Sequence, residues 1–260
     1  MENIKRLFSV AVILVAVLTA FYSAWLCQTV YTVPILTYHS IGYQNDALSV
    51  TPENLDRQLA YLKDNHYNVI SLDTLVEGIK SNKKFEKTVV ITFDDGRKDN
   101  YQYAYPILKK YQFPVTIFLA ANLINNKPSF MTWDEARTMM KDNISFGAHT
   151  KNHVFLSTIK SDDVLWDEIA GSKKMIEDNI STPIYYFSYP YGAFNEKVQL
   201  FMKKAGFKAA CTTNVGPGRF NQDVYALKRI RIKNDSPFTF WSKLSGYYNL
   251  FRRPRLEMLP

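Results

Sequence analysis

The sequence predicts an α/β fold: an irregular (β/α) barrel with parallel strands, preceded by one N-terminal transmembrane helix. Three observations predict it. Short, almost wholly apolar runs recur along the chain, and amphipathic stretches of helical period separate them. One uncharged run of 20 residues, 7–26, stands alone at the start. Strands buried on both faces read as continuous apolar runs, and their alternation with helices marks a parallel sheet covered by helices. About eight such units fit a barrel; an open doubly wound sheet is the alternative.

The N-terminal run spans about 30 Å at 1.5 Å per residue, the thickness of a bilayer core. Lys5 and Arg6 precede it, and no Lys or Arg follows before Arg57. That asymmetry keeps residues 1–6 in the cytoplasm and exports the rest. Residues 7–28 then form a signal-anchor in the cell membrane, with the body extracytoplasmic. The alternative is a cleaved signal peptide and a secreted body. Strands are expected at 33–38, 68–71, 88–93, 115–120, 145–148, 185–189, 208–212 and 226–232. Helices are expected near 52–65, 72–80, 98–111, 132–141, 161–179 and 195–205. Thr51 and Pro52 make a good helix start, a cap followed by a first-turn proline. Pro114 and Pro183 punctuate the approaches to two strands. Residues 29–235 form one domain, and 236–260 a closing helix and tail.

Hydrophobic residues make up 47% and aromatics 15%, which suits a folded body with a sizeable core rather than a disordered chain. The net charge is +8, but no basic cluster is interleaved with aromatics, so a nucleic-acid partner is excluded. A basic exported surface suits anionic envelope polymers or lipid headgroups. Cys27 and Cys211 are the only cysteines, one beside the apolar run and one in an expected strand, which excludes a disulfide scaffold.

The chemistry-bearing residues collect where expected strands end. His39 follows 33–38, Asp94 and Asp95 follow 88–93, His149 follows 145–148, and Tyr189-Pro190-Tyr191-Gly192 ends another strand. Parallel barrels bring those ends to one face, where such folds carry their chemistry. Asp-Asp-Gly alone is a common turn, and His-x-x-x-His alone is a common surface pair. Together at strand ends they supply a carboxylate and two imidazoles for one metal, with a carboxylate over for proton transfer. That set implies a metal-dependent hydrolase. A turn beginning at Gly96 has to bring the two carboxylates together. His66, after a helical stretch, reads as structural. Trp133 and Trp166 read as core or helix-packing aromatics.

Thr92-Phe93-Asp94-Asp95-Gly96 and His149-Thr150-Lys151-Asn152-His153, in that order, resemble the first two motifs of the polysaccharide deacetylases of carbohydrate esterase family 4, the NodB-like domain. The likeness runs over residues 34–232. By that resemblance Asp94 is the general base, and Asp95, His149 and His153 hold a divalent metal: zinc, with nickel, cobalt or iron as alternatives. Phe187-Ser188-Tyr189-Pro190-Tyr191-Gly192 resembles the third motif, in which the backbone N–H at Tyr191 serves an oxyanion hole; the resemblance also implies a sugar-binding cleft, which Tyr189, Tyr191 and Phe194 are placed to line. The usual arginine of that motif is missing, with Ser188 or Tyr189 near its place, and no histidine follows His153. Leu36-Thr37-Tyr38-His39-Ser40 resembles the permuted form found in poly-β-1,6-N-acetylglucosamine deacetylases of biofilms, which makes His39 the acid. Arg229 is favoured over Arg231 to replace the lost arginine and hold Asp94 ionised, although strand alternation puts both on one side. The resemblance implies N-deacetylation of an exported N-acetylglucosamine polymer, near machinery that makes or exports it. A peptidoglycan or chitin-oligosaccharide deacetylase is the alternative. A non-catalytic, membrane-tethered polysaccharide-binding protein is a further one.

Overall fold

The apolar runs fold into parallel strands, and the amphipathic stretches between them into helices packed outside. The computed structural model describes residues 2–30, 32–213, 223–246 and 248; within 2–30 it describes the side chains of residues 6 and 8–22. In chain order the elements are α1 (Glu2–Val30), β1 (Ile35–Tyr38), β2 (Ser40–Ile41), β3 (Ser49–Val50), α2 (Pro52–Asp64), β4 (Asn68–Val69), α3 (Leu72–Lys80), β5 (Thr88–Phe93), α4 (Tyr105–Tyr111), β6 (Val115–Leu119), α5 (Trp133–Met139), β7 (Ile144–Ala148), α6 (Asp162–Trp166), α7 (Ser172–Ile180), β8 (Tyr186–Ser188), α8 (Glu196–Lys204), β9 (Ala209–Thr212), β10 (Leu227–Lys228), β11 (Ile230–Arg231) and α9 (Pro237–Leu244).

Local chemistry sets the helix starts. Thr51 Oγ1 accepts the Asn54 N–H at 3.3 Å with Pro52 in the first position, so α2 begins where the sequence puts its cap. Ser161 caps α6 in the same way. Two expected helices contain π turns: Asn100–Ala104 leads into α4, and Asp167–Gly171 lies between α6 and α7.

The strands pair in parallel in the order β10-β9-β8-β7-β6-β5-β1-β11. β10 and β11 are two halves of one strand, interrupted at Arg229. The first half pairs with β9 (Leu227↔Cys211) and the second with β1 (Leu36↔Ile230). One broken strand therefore joins the two edges and closes a barrel. The expected strand 68–71 shrinks to β4, which pairs only with the start of β5 (Asn68↔Thr88) and flanks the ring.

Strand alternation divides the core. Ile35, Val90, Phe118, Tyr186, Ala209, Cys211 and Leu227 cluster inside the ring with Leu72, Leu75 and Val76 of α3, which covers its N-terminal end. The alternate residues Leu36, Ile91, Ile117, Phe187 and Ala210 pack outward against α2, α4, α5, α7 and α8. Trp133 packs on that outer core, and Trp166 meets Phe201 edge-on at 6.1 Å, so both tryptophans serve helix packing. His66 takes a left-handed conformation (φ 55°) just past α2. Cys211 is buried and unbridged; the Cys27 side chain lies outside the described residues.

α1 is a single helix of 29 residues. Its described apolar side chains are exposed, Phe8 to 71% and Phe21 to 72%. Among the described residues no helix is long and apolar enough to cross a membrane. The side chains of residues 7 and 23–28, part of the expected anchor, lie outside the described residues. So do residues 247 and 249–260 of the expected C-terminal tail. α9 itself is tied to the barrel by Lys243, whose Nζ donates to the Arg231 carbonyl (2.8 Å) and pairs with Asp235.

Candidate active site

At the C-terminal ends of the strands the interior positions turn polar. The alternation that puts Ile35 and Thr37 inside continues to His39. Val90 and Thr92 lead to Asp94, Tyr186 to Ser188, Leu227 to Arg229, and Gly147 to His149. Five strands thus deliver one polar side chain each to one face of the barrel.

Asp94 lies at the centre. Arg229 donates from Nη1 to Asp94 Oδ1 (2.7 Å) and from Nη2 to Oδ2 (2.6 Å), and both residues are 1% exposed. Thr92 Oγ1 and Ser188 Oγ accept further bonds from the same guanidinium at 3.2 and 2.8 Å. Its face lies over the Phe118 ring, 5.5 Å from the centroid. Burial on its own raises the Asp94 pKa; the bidentate cation overrides it and holds the carboxyl well below the usual carboxylate range. His39 Nε2 stands 3.8 Å from Asp94 Oδ2, and Asn100 Nδ2 fixes its backbone by donating to the His39 carbonyl at 2.7 Å. Burial lowers the His39 pKa despite the pull of Asp94 and Asp95, so this imidazole rests neutral at neutral pH.

Asp95 reaches the same face because the chain turns one residue before the expected Gly96. Asp95 itself is left-handed (φ 75°), and Gly96 follows at φ 73°. A Cβ at Gly96 would sit 2.5 Å from Leu119 Cδ2, so the turn needs a glycine there. His149 Nε2 and His153 Nε2 lie 3.5 and 3.4 Å from Asp95 Oδ1. That oxygen is buried with no hydrogen-bond partner. His149 Nδ1 donates to the Ser188 carbonyl at 2.7 Å, which leaves the Nε2 lone pair facing Asp95. Burial pushes the His149 pKa down to about 4, keeping the ring neutral. The three ligand atoms lie within 4.8 Å of one another. An orphaned buried carboxylate oxygen facing two imidazole nitrogens fits one divalent ion with an open position for water, and the mixed N/O set suits zinc.

A profile of the polysaccharide deacetylase family matches residues 81–210. The Bacillus subtilis protein YxkH is 35% identical over 212 residues, covering 81% of this chain and 75% of the relative. The chain belongs to the polysaccharide deacetylase family. The poly-β-1,6-N-acetyl-D-glucosamine N-deacetylase of Staphylococcus aureus is 27% identical over 201 residues, covering 72% of this chain and 69% of that enzyme. The solved structure of the Streptococcus pyogenes deacetylase PplD, in complex with acetate, superposes with a TM-score of 0.76 at 31% identity, over 82% of this chain and 97% of PplD.

This deacetylase is therefore a hydrolase of amide bonds, and the reading as a non-catalytic binding protein falls away. That reading rested on the lost arginine. Arg229 brings a guanidinium to Asp94 from the broken strand, in contact with Ser188, one of the two residues near the place of the family's arginine. Arg231 is only partly buried and lies beyond the break, paired along β1. The break at Arg229 also removes the shared strand face that left the two arginines equivalent in the sequence.

The three aromatics expected at a sugar cleft separate. Tyr191 is 46% exposed, left-handed (φ 61°), and its ring stacks on Phe155 with centroids 3.9 Å apart and 4° between planes. Its other neighbour is His153, edge-on at 5.0 Å. Tyr189, by contrast, is fully buried, with its hydroxyl donating to the Tyr225 carbonyl. It does not line a cleft: Ser188 points into the barrel, so alternation turns Tyr189 outward into the helix layer. Phe194 is partly buried and stacks on Tyr189 at 4.7 Å, so it supports the core behind the third motif. Phe155 and Asn100 escape sequence reading; each acts through a contact that only the folded barrel creates.

Proposed function

We propose that this deacetylase removes acetyl groups from N-acetylglucosamine units of an exported polysaccharide of the poly-β-1,6-linked type, using one divalent metal, zinc. The observation that carries the reading is the juxtaposition of Asp95, His149 and His153 with the ion-paired base Asp94 and with His39. Asp95, His149 and His153 would hold the ion. When bound there, it supplies Lewis acidity to the acetamide carbonyl and acidifies the attacking water.

The protein's own groups move the protons. Asp94, kept ionised by Arg229, takes a proton from the attacking water. Its low pKa makes it a poor place for that proton to stay. His39, neutral at rest and 3.8 Å away, receives it and passes it to the departing amine as the C–N bond breaks. Because burial lowers the His39 pKa, the cycle starts with this imidazole neutral, and it becomes the acid only after taking the proton from Asp94. The Tyr191 N–H lies outside its turn's own bonds, made by Gly192 N–H to Tyr189 O and Ala193 N–H to Pro190 O, and is the donor for the oxyanion. Acetate and a free glucosamine amine result. The Tyr191–Phe155 stack offers a flat apolar platform for a sugar ring.

Residues 7–28 anchor the enzyme in the cell membrane with its barrel extracytoplasmic, near machinery that makes or exports the polymer. The charge asymmetry of the sequence and the exposed apolar surface of α1 support that placement. A secreted form after signal cleavage is the alternative. Fractionation and external protease digestion of cells test it: a protected, cytosolic barrel overturns it.

A wall-glycan substrate, peptidoglycan or a chitin-type oligosaccharide, is the second reading. It draws on the higher identity to YxkH and PplD, whose names specify no β-1,6 linkage, than to the staphylococcal enzyme. Acetate release by the purified chain from β-1,6-linked oligomers, chitin oligomers and peptidoglycan separates the two. Preference for either of the last two sinks the first reading.

A further inference from the structure

The loop that carries the two histidines is an unfavourable piece of backbone. Thr150 (φ 60°) and His153 (φ 56°) are both left-handed, a conformation unfavourable for any non-glycine residue and most of all for a β-branched one. On one side the loop is held by the segment after β6, where Ala121 N–H donates to Thr150 O (3.1 Å) and Asn122 N–H to Lys151 O (2.8 Å). On the other side stands a buried carboxylate, Glu168, which is 5% exposed. Its Oε2 accepts the backbone N–H of Lys151 (3.0 Å) and of Asn152 (2.9 Å), and its Oε1 accepts Asn152 Nδ2 (2.6 Å). The Asn152 amide cannot turn over freely, because its Oδ1 accepts Asn122 Nδ2 at 2.8 Å.

Glu168 sits in the π turn Asp167–Gly171. An inserted residue of that kind re-aims side chains within an otherwise α-helical stretch. The neighbouring Asp167 grips the same loop through Lys151 Nζ at 2.9–3.0 Å. A buried carboxylate is costly unless its oxygens are filled by donors, and the donors filling Glu168 come from the loop between the two histidines. We propose that Glu168 is a positioning residue of the metal centre: it clamps residues 151–152 so that His149 and His153 converge on Asp95, and thereby sets the affinity for the ion. The proposal rests on the metal-centre reading above.

The geometry permits a donor–acceptor exchange as the test. Glu168→Gln keeps one oxygen for the two backbone N–H groups but aims an amide NH2 at Asn152 Nδ2, donor against donor. Asn152→Asp alone sets a carboxylate against Glu168. The double variant E168Q/N152D restores a matched pair, and the new carboxylate at 152 still accepts from Asn122. Zinc affinity of the purified full chain is measured by competition with a chromophoric chelator, with thermal unfolding of the metal-free protein alongside.

Each single variant is expected to weaken zinc binding about tenfold or more, the usual effect of removing a group that orients a metal site. The double variant is expected to recover most of the loss. Single variants that bind zinc as tightly as the parent overturn the proposal. So does a double variant that fails to recover, whether unfolded or zinc-deficient. A parent chain that binds no zinc at all fails the metal-centre reading instead.

Discussion

Arg229 and Asp94, 135 residues apart in the chain, meet in a two-pronged ion pair with distances of 2.7 and 2.6 Å. The pair is buried, and Arg229 is the point at which one broken strand changes partners between β9 and β1. The cation that holds Asp94 ionised is thus also the residue at the seam of the barrel.

Replacing Arg229 with Met leaves a carboxylate buried without its cation. Such a loss costs about 3–5 kcal/mol of stability. Asp94 then takes up a proton near neutral pH, and deacetylation falls by about 100-fold or more. Arg229→Lys does not restore it, because an ammonium cannot span both carboxylate oxygens and still reach Thr92 and Ser188. Thermal melts and acetate release by both variants check this; wild-type turnover in R229M contradicts it.

Asp94→Asn separates base from ligand. Turnover is expected to drop by about 10²–10⁴ while bound metal, measured by elemental analysis, stays at the parent level. His149→Ala is expected to lose the metal and the activity together. Metal loss in D94N places Asp94 among the ligands and contradicts the assignment.

Ser188→Arg restores the family's usual arginine to the sequence but not to the structure. Ser188 is fully buried and already bonded to Arg229, so a second guanidinium brings like charges into contact and overfills the site. The variant is expected to be destabilised by several kcal/mol and inactive. In the double variant S188R/R229S activity returns in part, read as acetate release.

The imidazoles set two pH dependences of opposite sign. His149 titrates at about 4 in the folded, metal-free protein against an ordinary 6.5. Between those values the unfolded chain binds a proton that the folded chain does not, so metal-free stability falls as pH drops through that window. His149→Asn flattens that slope. His153 behaves oppositely. Burial lowers its pKa, but the Asp95 carboxylate 3.4 Å away outweighs it and raises it above 6.5. Its contribution is full below 6.5 and is lost as pH rises through the raised value. Zinc must displace that proton, so affinity is expected to be weaker near about pH 6 than near about pH 8, with proton release seen by calorimetry in buffers of different ionisation enthalpy.

Much of this was legible in the sequence because it is local. The short apolar runs of the body formed strands, Thr51 capped its helix, and the polar residues at strand ends converged, since period-two alternation carries them inward from apolar interior positions. What stayed hidden is non-local. Arg229 and Arg231 look equivalent until the strand breaks to pair with two different neighbours. Tyr189 sits beside a motif residue and reads as a substrate contact, yet alternation from Ser188 sends it outward. The π turn that aims Glu168 leaves no mark in a helical period read over 161–179, and Phe155 gains meaning only by lying against Tyr191.

The broken strand at Arg229 has a temporal consequence. Thr88–Phe93, which leads to the base, comes early in the chain, and the guanidinium that activates it comes among the last strands. A barrel still open along that seam holds an aspartate with no cation beside it. On the proposed mechanism, hydrolysis is therefore expected only from a barrel whose two edges are joined, since Asp94 meets its cation only at that seam.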